Sequence, residues 1–353
     1  MNLDDWRSRI NDLDNQILQL VTQRAEAALQ IGDLKRRQDT PPYAPEREAE
    51  ILRRLTALNA GPLPADTIAA VWREILSGCR ALESALAVAY LGPPATFTHQ
   101  AALQQFGAAA GYRPARSIGE VFDDVERARA EFGVVPVENS TEGAVNVTLD
   151  RLTVSDALIC GELRLDITQH LVSRAAELSE IKRVISHPQA LAQCRGWLAE
   201  HLPDVPTEEM LSTAAAAELA ASDATVAAIA AELAARLYGV PVVRARIEDN
   251  PHNSTRFLVV GRRPVGPTGH DKTSILFAMR NEPGALYRIL EPLARARINL
   301  TKIESRPAKQ GPWEYVIFVD LEGHRDTSEV GSVLGEIGER TLFLKILGSY
   351  PVA

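Results

Sequence analysis

An all-helical domain, a two-lobed α/β domain and a small βαββαβ domain should follow one another along these 353 residues. Three observations predict this. Residues 3 to 34 carry an apolar seam whose spacing alternates between three and four, the period of a helix packed against others. From Ala87 onward, short apolar runs alternate with Ala-rich helical ones, the signature of βαβ units. Beyond a Pro- and Gly-rich linker at 262–270, strand and helix patterns alternate in the ferredoxin-like order. A chain this long suits two or three cores. We place the domains at 1–86, 87–262 and 272–350.

The seam reads Leu3, Trp6, Ile10, Leu13, Ile17, Leu20, Arg24, Ala27, Ile31, Leu34. Such a helix is about 48 Å long. A three-helix segment of this size cannot cover so long a stripe alone, so the expected solution is a second copy of the chain, a homodimer or higher oligomer. Pro41, Pro42 and Pro45 should end the first helix and start the second. Gly61, Pro62 and Pro64 separate a third, with its stripe at Ile68, Val71, Trp72, Ile75, Cys79 and Leu82.

In the α/β region we expect strands at Val88–Leu91, Gly133–Val137, Val184–Ile185, Val226–Ile229 and Phe257–Val260. Ala214–Ala221 and Ala230–Tyr238 read as helices packed closely on a sheet. In the last region, Thr273–Met279, Leu300–Glu304, Tyr315–Leu321 and Leu342–Leu347 read as strands. Ala285–Ala296 and Val330–Ile337 read as helices.

A hydrophobic share of 46% supports real cores. The net charge of −8 argues against a nucleic-acid partner. Cys79, Cys160 and Cys194 are odd in number and widely spaced, which reads as reduced thiols with no metal cluster. No signal-peptide pattern opens the chain and no apolar run is long enough to span a membrane, so a cytoplasmic location is expected.

Two cations mark the first domain. Arg24 takes a seam position where an apolar residue belongs, and Lys35, eleven residues on, returns to nearly the same face. Burying both is costly unless an anion meets them. They are either register-setting polar residues or the grip on a dianionic substrate, for which Arg is suited. Glu83 extends the third helix's stripe. Partly desolvated, it favours its neutral form and can donate a hydrogen bond; the alternative is a carboxylate that faces water.

In the second domain three polar clusters adjoin apolar runs. They are Glu138-Asn139-Ser140-Thr141-Glu142-Gly143 after Val134–Val137, Ser186-His187-Pro188-Gln189 after Val184-Ile185, and Asn253-Ser254-Thr255-Arg256-Phe257 before Leu258–Val260. In open α/β sheets, ligands bind beyond the carboxyl ends of strands. His187 followed by Pro can also be a simple turn element.

Together these clusters, from Val88 to Gly261, resemble prephenate dehydratases, and the first 85 residues resemble all-helical chorismate mutases. The last 80 or so resemble ACT domains. This is the order of bifunctional chorismate mutase–prephenate dehydratases of phenylalanine biosynthesis. The resemblance implies a periplasmic-binding-protein-like dehydratase domain, chorismate and prephenate as substrates, L-phenylalanine as feedback inhibitor, and no cofactor. It puts Arg24, Lys35, Arg47, Glu48, Cys79 and Glu83 around chorismate, with Lys35 and Glu83 assisting the breaking ether bond. Arg7, about 25 Å along the helix from Arg24, would come from the other subunit. Ala44 departs from the charged or polar residue some relatives have.

For the dehydratase, the resemblance makes Thr255 the leading catalytic residue, with Glu138, Asn139 and Gln189 beside it and Arg256 as carboxylate anchor. Thr96, Phe97, Thr98, Ser140, Thr141, His187, Ser212, Thr213 and Phe257 should line the cleft. Ala95 stands where the family usually has Gly. In the last domain, Asn281, Gly284, Ala285 and Leu286 form a loop entering a helix, where free N–H groups can receive a carboxylate. With Glu304, Ser305, Arg306 and Pro307 they resemble the motifs by which ACT domains bind phenylalanine, usually between subunits. A plain dimerisation domain is the alternative. For the whole chain, the alternatives are a two-lobed binding protein without catalysis, and an enzyme with one decayed domain.

Overall fold

The computed structural model describes residues 2–38, 43–280, 282–307 and 315–353. Pro41, Pro42 and Asn281 therefore lie outside the described residues. The chain divides into two compact units, Met1–Ala87 with Gln105–Gly111, and Val88–Gln104 with Tyr112–Ala353. Among the described residues no helix is long and apolar enough to cross a membrane.

The first unit holds three helices, α1 (Leu3–Arg37), α2 (Pro45–Ala57) and α3 (Ala65–Glu83). Asn2 opens α1 with a capping box: its Oδ1 accepts from the Asp5 N–H and the Asp5 carboxylate accepts from the Asn2 N–H. Pro45 occupies the first turn of α2, where a missing N–H costs nothing. Within this chain α1 buries only Ala28 and Gly32, and the apolar seam from Leu3 to Leu20 stays exposed. The α3 stripe is rotated from the expected one. Leu76, Ser77, Cys79 and Arg80 are buried, whereas Val71 and Leu82 are exposed. The i, i+4 rows through Trp72, Leu76 and Arg80 set the inward face.

The second unit begins with β1 (Ala87–Leu91), α4 (Phe97–Phe106), β2 (Gly111–Ala115), α5 (Ile118–Glu126), β3 (Phe132–Asn139), β4 (Gly143–Ala144), α6 (Asn146–Val154) and β5 (Leu158–Asp166). A second lobe follows with β6 (His170–Ser173), β7 (Arg183–Ser186), α7 (Pro188–Gln193), α8 (Arg195–His201), β8 (Thr207–Glu209), α9 (Thr213–Ala220), β9 (Val226–Ala230), α10 (Glu232–Tyr238) and β10 (Val242–Arg244). The chain then returns to the first lobe as β11 (Ser254–Gly261). The sheet orders are β2-β1-β3-β11-β5, with β4 on β3, and β10-β6-β9-β7-β8. Small Ala side chains of α9 and α10 pack directly on Val226, Ala228 and Ala230. The long strand β5 is not announced by the pattern, because Gly161, Glu162 and Arg164 interrupt its apolar residues.

The last region is β12 (Asp271–Ala278), α11 (Ala285–Arg295), β13 (Leu300–Pro307), β14 (Tyr315–Glu322), α12 (Ser328–Arg340) and β15 (Phe343–Pro351), with sheet order β13-β14-β12-β15. Phe277, Ile289, Leu293, Ile317, Val333 and Ile337 fill its core. The Glu304–Pro307 stretch lies within β13 and does not follow it. Strand β15 crosses β5 so closely that a Cβ on Gly348 would overlap the Ile159 carbonyl oxygen. Only glycine allows that approach.

Candidate active sites

The first unit closes a pocket of about 310 Å³ between α1, the start of α2 and the end of α3. Arg24, Lys35, Arg47, Glu48, Cys79 and Glu83 all line it, together with Tyr43 and Ala44. Arg7 does not; it is exposed and paired with Asp4. Lys35 Nζ donates to Glu83 Oε2 at 2.9 Å. Glu83 therefore accepts from an ammonium in this structure. Burial instead pushes the Glu48 carboxyl above its ordinary range, although Arg80 and Arg24 act in the opposite direction.

Arg80 is a charged pocket residue that the sequence reading missed. It is buried, donates to Glu48 and to the Phe106 carbonyl, and sits 4.8 Å from the Tyr43 ring centroid. Its position one turn before Glu83 and one after Leu76 was the available signal.

In the second unit a cleft of about 520 Å³ opens between the two lobes. From the first lobe it is lined by Thr96, Phe97, Thr98, Pro136, Asn139, Thr255 and Phe257, and from the second by His187, Gln189, Ser212 and Thr213. Two local causes set this lining. His187 and Ser212 cap α7 and α9, each accepting from a backbone N–H of the first turn, so both helix starts face the cleft. And β3 carries a bulge: Arg256 pairs with Glu138 while Phe257 pairs with Pro136, leaving Val137 extra. The bulge brings both Pro136 and Asn139 to the cleft face, which strict alternation would forbid.

Asn139 organises the floor. Its Oδ1 accepts from the N–H groups of Thr141 and Glu142 at 2.9 and 3.1 Å. Its Nδ2 donates to Asn253 Oδ1 at 2.8 Å and to Thr255 Oγ1 at 2.9 Å. Both amide hydrogens are thereby engaged, so Asn139 orients Thr255. The Thr255 hydroxyl accepts that bond and keeps its own hydrogen to donate. The cleft also gains Gln193, one helical turn after Gln189, and Gln169, whose Nε2 donates to Gln193 Oε1 at 3.1 Å. The i, i+4 spacing of Gln189 and Gln193 was legible; Gln169 gave no signal. Ser140 and Thr141 lie at the exposed turn beside the cleft and do not line it.

Glu138 and Arg256 are corrected outright. Side chains alternate along a strand, so neither shares the cleft face with Asn139 and Thr255, and neither lines the cleft. Arg256 donates to Glu162 at 2.6 Å, to Asp320 at 2.7 Å and to the Tyr350 hydroxyl at 3.1 Å, all buried. Lys272 Nζ donates to the other Glu162 oxygen at 2.8 Å. Burial opposes the Arg256 charge, but Tyr350, Asp320 and Glu162 together raise its pKa. Glu138 pairs with Lys302 at 2.8 Å. Among the described residues lining the cleft there is no Lys or Arg. Carboxylates entering it would meet hydroxyls and the first turn of α9, whose N–H groups and dipole suit an anion.

In the last domain Gly284 caps α11 at φ 74°, a left-handed conformation that favours glycine. Ala285 lines a cavity of about 570 Å³ with Arg280, Arg288 and Arg340, and Leu286 packs on the domain core. Along β13, Glu304 and Arg306 are half-buried and Ser305 and Pro307 exposed. The Arg306 guanidinium is committed to α6, where it meets Asp150 at 2.9 Å and Asn146.

Comparison with known proteins agrees with this layout. Residues 6–84 match the family model of chorismate mutase type II, residues 88–265 that of prephenate dehydratase, and residues 273–339 that of the ACT domain. The bifunctional chorismate mutase/prephenate dehydratase of Aquifex aeolicus is 48% identical over 355 residues, covering 99% of this chain and 98% of the relative. That of Pseudomonas aeruginosa is 47% identical over 353 residues, covering 98% and 97%. Among solved structures, a prephenate dehydratase from Arthrobacter aurescens in complex with L-Phe is 38% identical with a TM-score of 0.69, covering 75% of this chain and 90% of that one.

Proposed function

This chain belongs to the bifunctional chorismate mutase/prephenate dehydratases, and from that premise we propose how its two pockets divide the work. The chain rearranges chorismate to prephenate and converts prephenate to phenylpyruvate, water and carbon dioxide. The first reaction belongs to the pocket of the helical unit. A Claisen rearrangement needs no covalent help, only a compact conformer and stabilised charge on the breaking ether. Arg24 and Arg47 hold the two carboxylates of chorismate, and Lys35 serves the ether oxygen once the substrate draws it from Glu83.

The second reaction belongs to the cleft. The bond between the ring carbon and its hydroxyl breaks as the ring carboxylate leaves as carbon dioxide, and the electron pair released makes the ring aromatic. A hydrogen-bond donor at the departing oxygen lowers the barrier, and a proton taken up from solvent turns the expelled hydroxide into water. The observation that carries this reading is the Thr255 hydroxyl, which lines the cleft, accepts from Asn139 Nδ2 and keeps its own hydrogen to donate. Gln189 lies across the cleft, and the α9 start takes a carboxylate.

Three further features belong to the same reading. The exposed α1 seam is covered by a second copy of the chain, which also contributes Arg7. L-Phenylalanine binds at the Gly284 turn and β13 of the ACT domain and inhibits the dehydratase. The protein works in the cytoplasm. Incubation with chorismate tests the whole: phenylpyruvate should accumulate, and its absence from folded protein would overturn the reading.

A further inference from the structure

The two strands that carry the cleft pair also carry a second cross-strand pair, one residue along and on the opposite face. Thr255 stands opposite Asn139, and Arg256 opposite Glu138. The front pair lines the cleft. The back pair is seized by the ACT domain, Glu138 by Lys302 of β13 at 2.8 Å and Arg256 by Asp320 of β14 at 2.7 Å. Such a pair cannot shift without moving the backbone of the adjacent catalytic positions. A misplacement of about 1 Å in a catalytic group costs roughly 100-fold in rate.

We propose that Glu138 and Arg256 are positioning residues for the dehydratase reaction, held by Lys302 and Asp320 so that the ACT domain sets the geometry of the Thr255–Asn139 pair. The proposal rests on the reading of Thr255 as the dehydratase donor. It replaces a direct catalytic part for Glu138 with an indirect one, and it gives the ACT domain a rigid line to the cleft floor. The Arg256 arm is nearly dry and surrounded by fixed partners. Its anchor Glu162 is shared with Lys272, so two carboxylates balance two cations. The Glu138 arm is softer, since its side chain is 40% exposed while Lys302 is 11% exposed. Movement of the ACT sheet thus reaches the cleft first through β3.

The experiment compares Glu138→Gln, Lys302→Met, their double variant, Lys302→Arg and Asp320→Asn, using the full chain and added prephenate. Lys302→Met and Glu138→Gln should each lower kcat about tenfold with KM changed less than twofold. The double variant should fall no further, because the residues act as a unit. Lys302→Arg should restore most of the rate. Asp320→Asn should lower kcat in the same way; if it does not fold, the partly exposed Lys302 arm decides alone. The mutase rate on chorismate should stay at its wild-type value throughout. If Glu138→Gln lowers kcat while Lys302→Met leaves it unchanged, Glu138 acts on substrate directly and the proposal falls. It falls equally if every variant turns over like wild type. Failure of the wild type itself to consume prephenate would instead overturn the dehydratase reading.

Discussion

Asn139 Nδ2 donates to Thr255 Oγ1 at 2.9 Å across 116 residues of chain. This bond decides what the threonine can do. With one lone pair engaged by an amide hydrogen, the hydroxyl still has its own hydrogen to offer to a departing oxygen. Thr255→Val keeps the shape and removes the donor. It should lower dehydratase kcat by about 10² to 10⁴ and leave the mutase intact, so that prephenate accumulates from chorismate. Arg24→Ala should do the reverse, because among the described residues none lines both pockets. Loss of both activities from either folded variant would sink this division.

The Lys35–Glu83 ion pair changes the expected behaviour of the mutase. Lys35 is engaged by a carboxylate, and a substrate ether must compete for it. Glu83→Gln removes that competition and adds a permanent donor. Its kcat/KM should exceed the wild-type value by about tenfold. A kcat/KM of Glu83→Gln at or below the wild-type value would rule this out.

Much of this was legible because the signals are periodic and local. The α1 seam, the βαββαβ order and the misplaced charges Arg24 and Lys35 repeat at spacings that depend only on helix and strand geometry. What failed was non-local. Glu138 and Arg256 sit inside the right motifs, yet one step of alternation turns them to the wrong face. The bulge at Val137 that brings Asn139 to the cleft has no residue signature in Val-Pro-Val-Glu. The partners that claim Arg256 lie on β5, β14 and β15, so nothing near it in sequence announces them. Arg80 was missed for a related reason: the expected α3 stripe ran through Leu82, a face that the packing leaves exposed.

The cleft loop carries an acid-sensitive element. His99 Nδ1 accepts from the Ala95 N–H at 3.0 Å while the ring stacks on Tyr90 at 4.4 Å. Ala95 itself is held at φ 65°, a strained conformation for a residue with a Cβ. Burial lowers the His99 pKa below its ordinary value. The folded state then binds fewer protons than the unfolded chain, so stability is complete above about pH 6.5 and declines as pH falls below it. His170 is lowered by burial as well, and contributes with the same sign. Melting temperature should therefore drop between pH 7 and pH 5.5, and His99→Gln should reduce that drop without abolishing it. Parallel melting curves for wild type and His99→Gln would exclude His99 as a contributor.

Control by phenylalanine is tested at Gly284. Its φ of 74° is available to glycine at no cost, whereas a β-branched side chain there costs about 1–2 kcal/mol in backbone strain. A Cβ would also come within 3.3 Å of Arg288 Nη1. The strain is therefore local to the turn, and the domain core around Phe277 and Ile337 is untouched. If the N–H groups entering α11 receive the amino-acid carboxylate, Gly284→Val should lose phenylalanine binding by calorimetry. Dehydratase activity should persist and become insensitive to phenylalanine, because an effector inhibits only through a difference in affinity between two arrangements. Phenylalanine should likewise tighten association of wild-type chains in sedimentation and leave the variant unaffected. A folded Gly284→Val that binds and responds as wild type does would move the effector site away from this turn.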